Sequence, residues 1–104
     1  MFDITTDDLF AVYAQLKERY NLVWTTTAAL NEGFTVDCPI IVGKAHDHVI
    51  QLYECDGDFV LDVMDAARSK GTHWHPNDVK SAAEDISEFM EGKLDYQLSP
   101  FKQQ

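Results

Sequence analysis

The residues best suited to chemistry are two histidine pairs, His46-x-His48 and His73-x-His75. On an extended backbone alternate side chains share a face, so each pair offers two imidazoles in one direction, the beginning of a transition-metal site. If the strand through Val63 and Met64 continues, Asp65 falls opposite His48, and the connection over 65–75 returns to the same end of the sheet. A metal site drawing on His46, His48, Asp65 and His75 is then open geometrically. The same connection gathers Arg68, Lys70, Thr72, His73 and His75 ahead of a helix start, where unsatisfied backbone N–H groups favour a phosphate or carboxylate. Each site has a structural competitor. Trp74 suits an apolar plug and His75 a helix cap, while Asp78 brings a carboxylate into the first turn, where it occupies the potential an anion would use. Tight zinc also needs three or four ligands whose second ring nitrogens are held by hydrogen bonds. The expectation is therefore no stoichiometric metal and no cofactor.

Nucleophiles are poorly placed. Cys38 falls on the expected core face, and Cys55 sits among Glu54, Asp56 and Asp58, which disfavour a thiolate. The derived register does not set the two cysteines opposite each other, so both are read as thiols. Ser69, Ser81 and Ser87 have no glycine elbow, and no glycine-rich phosphate loop or paired-cysteine zinc motif is present. Gly43 followed by His46-x-His48 and Glu54 resembles the first metal-binding motif of the cupins. Five residues separate His48 from Glu54, against three or four in that motif, and no second cupin motif follows, so no ligand is carried over. The chain leans away from an enzyme.

The elements that position these residues centre on 48–64. Two β-branched and aromatic runs meet at Asp56-Gly57, a strong type I′ hairpin signal that pairs Cys55 with Asp58, Tyr53 with Val60, Leu52 with Leu61 and Ile50 with Val63. Upstream, Thr5 and the acids Asp7 and Asp8 introduce a helix over about 6–19, with Leu9, Val12, Tyr13, Leu16 and Tyr20 at helical spacing. A strand from Leu22 then turns at Asn31-Glu32-Gly33, pairing Leu22 with Val42, Trp24 with Ile40, Thr26 with Cys38, Ala28 with Val36 and Leu30 with Phe34. Pro39 lacks an N–H, so the second strand is expected to break or bulge there. A loop over 43–47 pairs Val42 with His48. Downstream, Pro76 suits the first position of a second helix that stops at Gly92, with Val79, Ala82, Ala83, Ile86, Phe89 and Met90 inward. The tail over 94–104 reads as an extended segment docked on the body.

The expected fold is α+β, two layers, one domain over 1–104: a four-stranded antiparallel meander with N- and C-terminal helices on one face, in the order α-β-β-β-β-α. Its core side carries Leu22, Trp24, Val36, Ile40, Ile50, Leu52, Leu61 and Val63. The other side gathers Ile41, Val49, Tyr53, Val60 and Met64, more apolar area than a solvated face usually shows. Eighteen acidic against eight basic side chains give a formal charge of −10, which repels nucleic acid and anionic membranes and attracts a basic protein. With no basic-then-apolar leader and no membrane-length apolar run, a cytoplasmic protein is expected. The leading functional expectation is a non-enzymatic interaction or inhibitor module, immunity-protein-like, using that second face for a basic partner or for self-association. The alternative is a metal- or anion-dependent enzyme or ligand sensor at the histidine end of the sheet.

Overall fold

The computed structural model describes residues 3–29 and 35–100. Helix α1 covers Thr6–Leu16. It begins in a capping box: Thr5 Oγ1 accepts from Asp8 N at 3.3 Å and Asp8 Oδ2 accepts from Thr5 N at 2.9 Å. This satisfies two otherwise orphaned groups, and Asp7 and Asp8 complement the positive end of the dipole. The helix stops three residues short of the expected end, and Tyr20 N bonds Leu16 O across the closing turn. Helix α2 covers Val79–Met90, and its N-cap is Asp78, whose carboxylate accepts from Ser81 N at 2.8 Å. Pro76 is buried ahead of the helix and does not open it, a correction to the expected start. The helix ends at Gly92, φ 75°, as expected.

The α+β architecture with an antiparallel sheet and two terminal helices is observed, but the sheet has six strands in chain order where four were expected. The strands are β1 (Leu22–Ala29), β2 (Thr35–Ala45), β3 (His48–Cys55), β4 (Asp58–Asp65), β5 (Lys70–Trp74) and β6 (Ser99–Pro100). The two extra strands arise from segments read as connection and tail. Asp65 accepts from Ser69 N at 2.7 Å, Ser69 Oγ at 2.6 Å and Lys70 N at 3.0 Å, closing a turn in which Arg68 is left-handed, φ 59°. That turn returns the chain along β4, pairing Asp62 with His73 and Met64 with Gly71, while the tail adds β6 outside β5.

The β3–β4 hairpin has the expected register, from Cys55↔Asp58 to His48↔Asp65, with Asp56 and Gly57 at φ 53° and 83°. The β2–β3 hairpin does not. Ala45, not Val42, pairs with His48, through a tight turn in which His46 and Asp47 adopt φ 56° and 62°. An odd shift in register exchanges the faces of a strand. Ile41 therefore joins the core opposite Leu52, and Ile40 moves to the other face opposite Tyr53, reversing the expected assignment of both. The steric reason lies at Gly43, which falls between Leu22 and Ile50 under α2: a Cβ there would meet Leu22 Cδ2 at 2.8 Å and Met90 Sδ at 3.2 Å.

In the β1–β2 pair, Ala28↔Val36 is as expected, whereas Leu22 to Thr25 pair one residue further along, with Gly43 to Ile40. Between Thr25↔Ile40 and Thr27↔Asp37 the second strand has one residue more than the first, so it bulges at Cys38-Pro39. The missing proline N–H explains the site. The expected Asn31-Glu32-Gly33 turn and the Leu30–Phe34 pair lie outside the described residues.

Both helices bury their apolar stripes on one face of the sheet. Leu9, Val12 and Leu16 of α1 and Ala82, Ala83, Ile86 and Phe89 of α2 form a single cluster with Leu22, Ile41, Ile50, Leu52, Phe59, Leu61 and Val63, and Trp24 packs against it. Among the described residues, no helix is long and apolar enough to cross a membrane.

Candidate functional site

The strand register separates the residues that spacing had grouped. His46 lies exposed in the β2–β3 turn, its ring beside Gly92. His48 is half-buried, and its Nδ1 is 2.5 Å from the Tyr96 hydroxyl, which burial makes harder to ionise. Asp65 does face His48, but its carboxylate is occupied by the turn. The Ser69 hydroxyl and the Lys70 N–H hold its pKa down to about 2. His75 sits at the opposite end of β4, its Nδ1 2.9 Å from Phe59 O. Phe59 and Asp65 are six residues apart on one strand, so His75 is about 20 Å from the His48 end. Among the described residues, no group of three or more His, Cys, Asp or Glu side chains is placed to hold a metal ion.

The anion set is divided as well. Thr72 and Lys70 alternate onto the helix side of β5, and His73 onto the other side. Arg68 turns back so that Nη1 lies 2.9 Å from Met64 Sδ. The N-terminus of α2 is filled by the Asp78 carboxylate, whose pKa is lowered by the Ser81 backbone and hydroxyl donors.

Of the expected interface, Ile41 is a core residue, and Val49 and Met64 are buried within the chain itself; only Tyr53 and Val60 are partly accessible. Alternation places Tyr53, Val60 and Met64 on the face away from the helices, together with a polar centre that spacing did not single out. Asp62 is only 3% exposed there and is flanked by Gln51 on β3 and His73 on β5. Burial raises the Asp62 pKa, opposed by nearby His73 and by a hydrogen bond from Tyr53. Burial and then the Asp62 charge push Tyr53 up to about 12, so the phenol keeps its proton and donates it to the carboxylate. Such a pair can bind a proton and stiffen the sheet. The sequence signal was weak, because Asp62 reads as an ordinary polar position in an alternating strand.

The accessible feature lies at the other side of the sheet. Among the described residues β1 pairs with β2 alone, and no other described strand lies along its outer edge. Phe10 and Val23, 50% and 54% exposed, are the exposed large apolar side chains among the described residues; Val23 lies on β1, on the face away from the helices, and Phe10 reaches the strand from α1 on the helix side. Phe10 packs edge-on against Trp24 with ring centroids 5.5 Å apart, and Tyr13 lies 5.5 Å from the same indole, forming an aromatic shoulder above the strand. No charged residue occurs from Tyr20 to Asn31, in a chain that is 25% charged. Edge strands are normally protected by Lys, Pro or short length, and β1, eight residues of LVWTTTAA, has none of these. The clue available in the sequence was Phe10, an aromatic residue beside, not within, the apolar stripe of its helix. Comparison with family models, with curated proteins and with solved structures returned no match.

Proposed function

We propose that this chain is a non-enzymatic interaction module that binds a basic protein, in the manner of immunity proteins or inhibitors of basic enzymes, and that it does so along β1 and the Phe10, Tyr13, Trp24 shoulder. The observation that carries the reading is the coincidence of an uncharged edge strand, paired among the described residues with β2 alone, with the exposed Val23 on one face and Phe10 on the other. An added strand would gain main-chain hydrogen bonds along β1, and the aromatic shoulder would supply the anchor that dominates most interfaces. The −10 charge of the whole molecule brings a basic partner to the edge faster than diffusion alone and gives way to added salt. This moves the interface from the face first expected, whose large apolar residues are mostly covered by the chain itself.

The test uses immobilised protein and host extract, with wild type compared against Val23→Lys and Phe10→Ser, both at exposed positions. Support is a basic protein retained by wild type, with an association rate that falls steeply with salt and with affinity reduced at least tenfold by either substitution. An acidic partner, a rate indifferent to salt, or retention unaffected by both substitutions would remove the proposal. Sedimentation of the protein alone distinguishes self-association along the same edge.

A further inference from the structure

We propose that Cys38 and Cys55 form an oxidisable cross-strand pair, a site of reversible disulfide formation between β2 and β3. The β2–β3 ladder runs from Ala45↔His48 to Ile40↔Tyr53. The ladder ends at that pair, and β2 bulges against β1 at Cys38-Pro39; carried two residues further, the same register would set Cys38 against Cys55. Facing residues on antiparallel strands have Cα atoms about 4.5 to 5.5 Å apart, inside the span of about 4.4 to 6.8 Å that a disulfide bridges. The Tyr53 phenol provides an independent marker, because both cysteines are close enough to act on it electrostatically. Both are thiols in this structure, with Cys55 exposed and Cys38 half-buried.

Exposure sets the order of events with a small-molecule disulfide such as oxidised glutathione, and the acidic neighbours Glu54, Asp56 and Asp58, which disfavour the Cys55 thiolate, make its attack slow. The Cys55 thiolate attacks one glutathione sulfur, releasing the other as glutathione thiolate and leaving a mixed disulfide on Cys55. The Cys38 thiolate then attacks the Cys55 sulfur, releasing the second glutathione thiolate. The two cysteines are oxidised, one glutathione disulfide is reduced, and the two cysteine protons end on the two glutathione thiols. The new bond closes the chain between 38 and 55. It ties β2 to β3 where their ladder ends and where β2 bulges at Cys38-Pro39 against β1. Oxidation would therefore fix the bend of β2, leaving the rest of the sheet as it is. The inference does not depend on the edge-strand reading of function.

The experiment uses the intact wild-type chain, dilute and fully reduced, exposed to oxidised glutathione and read by intact mass and by peptide mapping without reductant. The expected product is a monomer that has lost two hydrogens, with the Cys38 and Cys55 peptides joined, a higher thermal midpoint and full reversal by dithiothreitol. Cys38→Ser should stop at a glutathione adduct on Cys55, and Cys55→Ser should react more slowly, at Cys38. Wild type that accumulates two separate glutathione adducts, or covalent dimers, or a joined product of lower thermal midpoint, would overturn the assignment.

Discussion

Gly43→Ala should destabilise this protein even though alanine is the better strand residue. Gly43 faces the helices, and an added Cβ would stand 2.8 Å from Leu22 Cδ2, 3.2 Å from Ile50 Cγ2 and 3.2 Å from Met90 Sδ. The first contact is closer than real Cβ atoms approach anything. Leu22 and Met90 can shift their chain ends, but the Ile50 branch is held in a fully packed β3. Overpacking of this kind costs about 1 to 3 kcal/mol. Replacing glycine in a strand returns about 0.5 to 1 kcal/mol through lower unfolded-state entropy. The net loss of about 0 to 2.5 kcal/mol corresponds, near the middle of that range, to a midpoint lowered by several degrees, at about 4 to 8 °C per kcal/mol for a domain of this size. Urea and thermal melts of wild type, Gly43→Ala, Leu22→Ala and the double variant form a cycle. If the Leu22 contact is the main cause, the double variant should be more stable than the sum of the single losses predicts, by about 1 kcal/mol. A raised midpoint for Gly43→Ala would refute the packing described between α2 and the sheet, and strict additivity would place the cost on Ile50 instead of Leu22.

Three further outcomes follow from the turns and the buried acid. Gly57→Val should destabilise strongly in urea melts, because φ is +83° there and a Cβ would also meet Asp3 at 3.2 to 3.3 Å; an unchanged midpoint would contradict the turn. Asp47→Gly should act in the opposite direction, adding up to about 1 kcal/mol of stability and so raising the midpoint, since Asp47 holds φ 62° in the β2–β3 turn. A loss of stability there would show that the aspartate side chain has a use the backbone does not reveal. Asp62 has its folded-state pKa raised above the ordinary 3.8, so its contribution is most favourable below that value and is lost as pH rises through the folded value. Asp62→Asn should gain on wild type as the pH of the melts goes from acid to neutral; a difference that is flat or reversed would argue against burial as the cause.

Much of this architecture could be read from local rules because local rules govern it. The Asp56-Gly57 hairpin was recovered with its full register, since turn type fixes pairing and the apolar positions on both strands agree with it. The cap of α1 was marked by Thr5 with Asp7 and Asp8, and the end of α2 by Gly92, signals set by backbone groups within a few residues. Pro39 announced the bulge for the same reason: its missing donor is a property of the residue and not of its surroundings.

What the tertiary structure alone decided was which residues meet. His46-Asp47 carries no glycine, so the sequence gives no reason to prefer a tight turn there over a loop beginning at Gly43. Only the closeness of Leu22, Ile50 and Met90 at Gly43 shows why the helix-facing position goes to the residue without a Cβ. That one choice moved the register by three, exchanged Ile40 with Ile41, and carried Cys38 toward Cys55. Strands β5 and β6 were likewise invisible locally. β5 depends on an Asp65 carboxylate that gathers Ser69 and Lys70, and β6 on an edge that exists only once β5 has formed. The histidine pairs show the same limit. Spacing fixes which imidazoles share a face, but the distance between pairs belongs to the sheet, where Phe59 beside His75 and Asp65 beside His48 are separated by the length of β4. The sequence specified the turns, caps and charge, each a matter of a few neighbouring residues. The sites required the sheet, because a contact between distant residues is a sum of registers, and one odd shift turns every side chain beyond it to the other face.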